Sequence, residues 1–229
     1  MPADPWSTPT SYESPAQVEA AFVAKVYRWM AAGLALTGLF AYAVVTNPGL
    51  QRVILANPIV FFGLLIGELV MVIAFSRVVQ SATFGTAAAM FLAYCALSGL
   101  TFSVIFLAYT RESIASTFFI TGGTFAAMSA YGTLTKKDLS SWGHFLFMGL
   151  IGVVIASVVN IFFRSDALSF VLSCAGVVVF TGLTAYDAQK IRGYARVGDE
   201  RLALHGALAL YLDFVNLFLM LLRLFGRRR

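Results

Sequence analysis

The chain has 229 residues, of which 59% are hydrophobic and 12% are charged, and its mean hydropathy is +0.83. A soluble domain carries about 25% charged residues, so this composition excludes an ordinary soluble fold and indicates a polytopic membrane protein. The net charge of +5 does not point to a nucleic-acid partner, because the lysines and arginines lie in short links between apolar segments, as the positive-inside rule describes.

Cysteine and histidine, the residues that most often build disulfide frameworks and zinc sites, are scarce. Cys95 and Cys174 each fall within an apolar segment, and His144 and His205 are the only histidines. The sequence therefore disfavours both a disulfide framework and a zinc centre.

Residues 1–22 are predicted to form a leader that is separate from a transmembrane domain over residues 23–229. The first 20 residues contain four prolines with several serines and threonines, and they lack the basic region and short apolar core of a secretory signal. We expect this leader to be disordered or to lie on the membrane surface.

Seven apolar segments follow, each about 20 residues and long enough to cross a hydrocarbon core about 30 Å thick. They are predicted, in chain order, at residues 26–45, 59–75, 83–107, 114–134, 142–163, 167–188 and 202–225. The last segment is less apolar than the others, which is typical of a helix shielded from lipid by its neighbours. The predicted fold class is all-α, a polytopic bundle of seven transmembrane helices around a central seventh helix.

The basic residues in the links predict a cytoplasmic N-terminus, because such links favour the cytoplasmic side. Nine then lie inside, namely Lys25, Arg28, Arg77, Lys136, Lys137, Lys190, Arg192, Arg196 and Arg201, and three outside, namely Arg52, Arg111 and Arg164. Arg223 and the arginines at 227–229 conflict with this orientation, since they lie outside if the seventh segment crosses fully. A re-entrant seventh segment is the alternative.

Two aspartates, Asp187 and Asp213, lie inside otherwise apolar helical sequence. A carboxylate at membrane depth costs several kcal/mol unless it is paired, protonated or hydrated, so such residues are candidates for function. If the last two segments form a hairpin that turns near Asp199 and Glu200, each aspartate lies about 13 residues, or about 20 Å, from the apex. Two carboxyls at one depth can share a proton and titrate as a unit.

The aspartate pair has two functional interpretations and one structural alternative. It is predicted to be a proton sensor or an oxygen-lined station for a hard cation, with Ca²⁺ the candidate metal at Asp187 and Asp213. The alternative is that each aspartate satisfies a buried arginine or a backbone donor and only holds helices together. Asn216 shares a helix face with Asp213, and Tyr211 is expected to border that face.

Two further charged residues are candidates for a latch or an ion path. Arg77 ends the second span on the side where the sixth ends, so it could reach Asp187 as a latch that protonation releases, or serve as an ordinary interfacial anchor. Glu68 lies nine residues, about 13 Å, deeper in the same helix. It is predicted either to line an ion path or to pair with an arginine such as Arg28.

The sequence contains no nucleophile elbow, P-loop or dinucleotide fingerprint, so we predict a protein that is not an enzyme. An aspartyl intramembrane protease is the enzymatic alternative to exclude, because it also uses paired aspartates on neighbouring helices. Asp187 and Asp213 lie in AYDA and YLDF and do not match the GxGD signature of those proteases.

Four blocks of sequence resemble the transmembrane Bax-inhibitor-motif family. They are KVYRWMAAGLALTG at 25–38, YGTLTKKDLSSWGHFLFMGLIG at 131–152, TAYDAQKI at 184–191 and LYLDFVNLFL at 210–219. The resemblance spans essentially the whole chain after the leader. It implies a bundle whose last helix is surrounded by two three-helix layers, and a pH-sensitive calcium leak.

The resemblance also implies roles for individual residues. The family's gating aspartate pair maps onto Asp187 and Asp213, its second-helix latch arginine onto Arg77, and its second-helix acidic residue onto Glu68. The tail is an arginine triplet rather than the lysine-rich tail of eukaryotic members, which indicates the bacterial branch. Some bacterial relatives are associated with restraining the membrane protease FtsH.

The leading prediction is a pH-sensitive calcium leak channel of the bacterial inner membrane. Its partners would be calcium ions, protons and the lipid bilayer, with no cofactor other than the transported calcium. The alternative is a non-transporting regulator that binds a membrane protease of the FtsH type, and a purely structural membrane protein is a third possibility.

Overall fold

The computed structural model describes residues 14–229, and the chain is almost entirely helical over this range. Eight helices follow one another: α1 (Pro15–Thr46), α2 (Pro48–Ile54), α3 (Pro58–Val78), α4 (Phe84–Ala108), α5 (Arg111–Leu134), α6 (Ser140–Phe163), α7 (Asp166–Tyr194) and α8 (Glu200–Phe225). The only β-type pairing in the described range is an isolated antiparallel bridge between Tyr109 and Arg228. The predicted all-α class is confirmed.

The predicted leader lies mainly outside the described residues, and only residues 14–22 of it can be placed. Helix α1 begins at Pro15 because Ser14 and Gln17 form a capping box, in which the Ser14 amide donates to Gln17 Oε1 at 2.7 Å and the Gln17 amide donates to Ser14 Oγ at 3.3 Å. Proline at the first helical position reinforces this start. Residues 15–22 are therefore helical and continuous with the first span.

Six helices, α1, α3, α4, α6, α7 and α8, are long and apolar enough to cross a membrane by length and composition. The chain is thus a multi-pass membrane protein. Helix α5 coincides with the predicted fourth segment and is equally long, but its serines and threonines lower its hydropathy. Several of these hydroxyls are buried against neighbouring helices, and Thr121 Oγ1 donates to the Thr117 carbonyl oxygen at 2.8 Å.

The long helices run alternately between two faces of the bundle. We call the face with the α7–α8 turn, residues 195–199, the turn face, and the opposite face with residues 226–229 the tail face. At the turn face Lys25 Nζ lies 2.5 Å from Glu200 Oε1. Arg192 donates through Nη1 to the Thr133 carbonyl oxygen. The first third of α1, the end of α5 and the end of α7 therefore meet the start of α8.

The C-terminal residues are fixed at the tail face by backbone hydrogen bonds to the α4–α5 link. The Thr110 amide donates to the Arg227 carbonyl oxygen and the Arg229 amide to the Ala108 carbonyl oxygen, both at 3.1 Å. Helix α8 is continuous from the turn face to this contact. The last segment therefore does not turn back on itself within the described residues.

Helix α8 is the central helix, as predicted, and the most deeply buried of the six apolar helices. It packs against α1 and α4 on one side and against α5 and α7 on the other. The remaining contacts define two layers, one of α1, α3 and α4 and one of α5, α6 and α7. The two layers that the family resemblance implied are thus present.

Candidate functional site

The site centres on Asp187 of α7 and Asp213 of α8, whose carboxyl groups lie close enough to interact with each other. Asp213 is only 4% exposed, and its Oδ2 atom has no hydrogen-bond partner among the residues described. The structure thus brings the two aspartates together on facing helices, as the hairpin register predicted.

The α7–α8 hairpin sets the register of this pair. Its turn contains Gly198 at φ +73°, a backbone conformation that glycine adopts without steric cost. Asp199 then caps α8 by accepting from the Arg201 amide at 2.9 Å. The two helices approach closely at Gly206, where an added Cβ would lie 2.9 Å from Ile191 Cγ1. A tight turn and a close crossing therefore hold the two aspartates opposite each other.

Lys190 is the basic residue next to Asp187 on the same helix. It follows Asp187 by three residues, so the two side chains share a face of α7, and both line the same cavity. Its Nζ atom also lies 5.7 Å from the centroid of the Tyr186 ring. Sequence reasoning missed this neighbour, although the spacing of three residues was a signal for it.

Arg77 does not contact Asp187. It lies exposed in the last turn of α3, and α3 packs against α2 and α4 in the opposite layer from α7. Within residues 14–229 the ion pairs are Lys25–Glu200, Arg192–Glu19 and Arg201–Asp199, and Arg77 takes part in none of them. A latch between Arg77 and Asp187 would require α3 to move.

Glu68 lies apart from the aspartate pair. It is half-buried on α3 and accepts a hydrogen bond from Thr101 Oγ1 of α4 at 2.6 Å, beside Ser98. The proposed partner Arg28 donates instead to the Ala24 carbonyl oxygen of its own helix, at 3.4 Å. Glu68 therefore belongs to the α3–α4 contact and does not line the cavity that contains the pair.

Asn216 and Tyr211 lie on different sides of α8. Asn216 shares a cavity with Asp213, as its spacing predicted, and its Nδ2 donates to the Leu212 carbonyl oxygen at 2.7 Å. The Tyr211 hydroxyl lies 2.7 Å from Thr37 Oγ1 of α1. Positions two apart on a helix are separated by about 200°, so Tyr211 points away from Asp213, contrary to the expectation that it borders the pair.

A cavity of about 1540 Å³ between α6, α7 and α8 contains both aspartates. It exceeds the roughly 300–1,000 Å³ of a small-molecule pocket. Its polar lining extends from the turn face to the tail face and comprises His144, Lys190, Tyr186, Asp187, Asp213, Asn216, Ser173, Ser169, Ser157, Asn160, Asp166, Arg164, Arg223 and Arg228. The pair thus lies in a half-open cavity whose wall is mainly apolar, with polar side chains spaced along it.

The cavity offers few ligands for a tightly bound metal ion. In residues 14–229 no group of three or more His, Cys, Asp or Glu side chains is close enough to hold one. Calcium usually takes six to eight oxygen ligands. The two aspartates and Asn216 could supply only part of that number, so a calcium ion here would keep much of its hydration shell.

Comparison with known proteins connects this architecture to a family. A family model described as "Inhibitor of apoptosis-promoting Bax1" matches residues 19–229. The chain belongs to the Bax inhibitor family. The resemblance found in the four sequence blocks is confirmed, and the match begins within α1 and includes every other helix of the bundle.

Bacterial proteins are among the relatives of this chain. The inner membrane protein YbhL of Escherichia coli K12 is 46% identical over 215 residues, which cover 91% of this chain and 92% of YbhL. An uncharacterized protein of Borreliella burgdorferi is 46% identical over 214 residues, with 91% and 92% covered. One of Deinococcus radiodurans is 42% identical over 212 residues, with 90% of each chain covered.

Proposed function

We propose that this protein is a pH-sensitive calcium leak channel of the bacterial inner membrane, gated by Asp187 and Asp213. The observation that supports the proposal is the close approach of the two carboxyls beside a cavity in which polar side chains are spaced from one face of the bundle to the other. Helix α5 would cross the membrane as well, which gives seven crossings with a cytoplasmic turn face.

The cavity between α6, α7 and α8 would be the ion path. Its hydroxyl, amide and carboxyl groups offer oxygen ligands along its length, which a hard cation prefers. The aspartate pair would be the narrow station of this path, since it carries the acidic groups deepest in the cavity. A hydrated cation passing this station would exchange only some of its water for carboxyl oxygens.

The gate would work through the shared proton. With a proton on the pair, the two carboxyls stay in contact as in the structure, and Asp187 is not held by Arg77. When both carboxyls ionise, they repel each other strongly in a medium of low dielectric constant. The ionised Asp187 would then pair with a cation, either Lys190 on its own helix or Arg77 after a movement of α3. Pairing with Arg77 would close the cavity at the turn face, so calcium leak should fall as pH rises.

The proposal is tested by reconstituting purified protein in liposomes that contain a calcium-sensitive dye. The leak should rise as pH falls, and Asp187→Asn or Asp213→Asn should flatten this dependence because neither variant can share a proton between two carboxyls. Glu112→Gln is the matched control, since Glu112 is exposed at the tail face outside the cavity lining. Arg77→Gln should increase the leak at high pH only.

Three results would contradict parts of the proposal. An unchanged pH dependence in both asparagine variants would overturn the gate. An unchanged leak in Arg77→Gln would overturn the latch and leave the aspartate gate in place. Absence of any leak in the native protein would overturn the channel and favour the regulator of a membrane protease.

A further inference from the structure

We propose that the tail-face end of the cavity binds the headgroup of an anionic phospholipid, with an acyl chain lying in the groove between α6 and α8. Three arginines line the cavity at this end: Arg164 at the end of α6, Arg223 in the last turn of α8, and Arg228. Asp166 is the one acidic residue beside them in the lining. Lipid binding here does not depend on whether the cavity conducts calcium.

The position of Arg164 is built into the α6–α7 link. Its backbone is left-handed, with φ +49°, a conformation uncommon outside glycine. Asn160 holds this link in place, because its Oδ1 accepts from the Ser165 amide at 3.0 Å and its Nδ2 donates to Ser169 Oγ at 2.7 Å. The Arg164 side chain is therefore directed to the cavity by a fixed turn.

Arg228, the penultimate residue, is also fixed in place. Arg228 forms the isolated bridge with Tyr109, and the Arg227 amide donates to Ser113 Oγ at 2.9 Å. Among the described residues neither Arg164, Arg223 nor Arg228 has an ion-pair partner. Three arginines thus line one end of the cavity without an ion-pair partner among the described residues, and arginine is the side chain best suited to phosphate.

The walls next to this mouth are apolar and open to the membrane. Val158, Ile161 and Phe170 line the cavity and are also 51%, 68% and 61% exposed. Helix α6 packs against α7 and forms no comparable contact with α8, which leaves a lateral opening between α6 and α8. A basic mouth above an apolar groove matches a phospholipid, and basic pockets between transmembrane helices are known sites for anionic headgroups.

Native mass spectrometry of the full-length protein in detergent tests the proposal. Phosphatidylglycerol should remain bound at concentrations at which phosphatidylcholine with the same acyl chains does not. The double variant R164Q/R223Q should lose about tenfold in phosphatidylglycerol affinity, because charge-assisted hydrogen bonds to phosphate are removed. R52Q/R111Q is the matched control, with the same charge change on the same face outside the cavity lining.

One further variant and one competition experiment complete the test. R228Q removes only a side chain from the tail, so it tests the site if R164Q/R223Q does not fold, and it should also weaken phosphatidylglycerol binding. Soluble glycerol phosphate should not displace the lipid, because it lacks the acyl chain. Equal binding of the two lipids, equal losses in both double variants, or displacement by glycerol phosphate would each overturn the proposal.

Discussion

Gly132 shows how one residue controls the surroundings of Asp187. It lies on α5 against α7, and a Cβ added there would lie 2.0 Å from the Ala185 carbonyl oxygen, two residues before Asp187. This neighbour is backbone and cannot move aside. The close approach of α5 to α7 therefore depends on glycine at position 132.

Gly132→Ala should lower stability by about 1–3 kcal/mol, the usual cost of overpacking. Thermal unfolding in detergent measures this loss. Gly122→Ala on the same helix is the control, because an added Cβ there meets nothing within 4 Å and should leave the unfolding temperature unchanged or higher. Equal effects of the two substitutions would show that contact with Ala185 is not the cause.

The positions of residues around the aspartate pair were predictable from sequence where they depend only on which face of a helix a residue occupies. The spacings of Asp213 to Asn216 and Asp187 to Lys190 place each pair on one helix face, and only the first was used. Tyr211 shows that closeness in sequence does not imply contact, because residues two positions apart on a helix point in nearly opposite directions. Its partner, Thr37, lies on another helix and follows only from the packing.

At the scale of elements, the α7–α8 turn is joined to the α3–α4 link by Arg201. Its Nη1 donates to the Gln80 carbonyl oxygen at 2.7 Å, while its Nη2 donates to Asp199 Oδ2 at the same distance. Hydrogen bonds from the Arg201 side chain and amide hold the pKa of Asp199 below its usual value. The ionised form of Asp199 is therefore the one that the fold stabilises.

This lowered pKa predicts a pH-dependent contribution to stability. It is fully present above the ordinary pKa of an unfolded aspartate, about 3.9, and is lost as pH falls through the lower folded pKa. Unfolding temperatures of wild type and Asp199→Asn should therefore differ at neutral pH and converge in strong acid. A difference that persists unchanged into strong acid would contradict this assignment, and Glu112→Gln is the charge-matched control.

The helices themselves were largely predictable, because each apolar segment coincides with one long helix. The predicted end of the first span, at residue 45, is one residue from the observed end of α1 at Thr46. The short helix α2 was not predicted, and it is capped by the Asn47 side chain, which accepts from the amides of Gly49 and Leu50. The placement of Arg77 also failed to follow from sequence, since it depends on which layer α3 joins.

At the scale of the whole molecule, the position of α8 explains the separation of the two acidic sites. One side of α8 packs on the layer of α1, α3 and α4, which contains Glu68, and the other side carries Asp213 toward α7 and the cavity. The approach of the two aspartates could be predicted because the register of α7 and α8 is set locally, by the turn that joins them. The cavity depends on the arrangement of three helices, which no segment of the sequence specifies alone.

The proposed gate requires that Asp187 and Asp213 share a proton whose loss closes the ion path. Infrared spectroscopy of the C=O stretch of protonated carboxyls, followed as a function of pH in liposomes, measures that proton itself. We expect a protonated-carboxyl signal that disappears with rising pH, that has the same midpoint as the calcium leak, and that is altered in both Asp187→Asn and Asp213→Asn. A signal unchanged in both variants, or a midpoint unrelated to that of the leak, would contradict it.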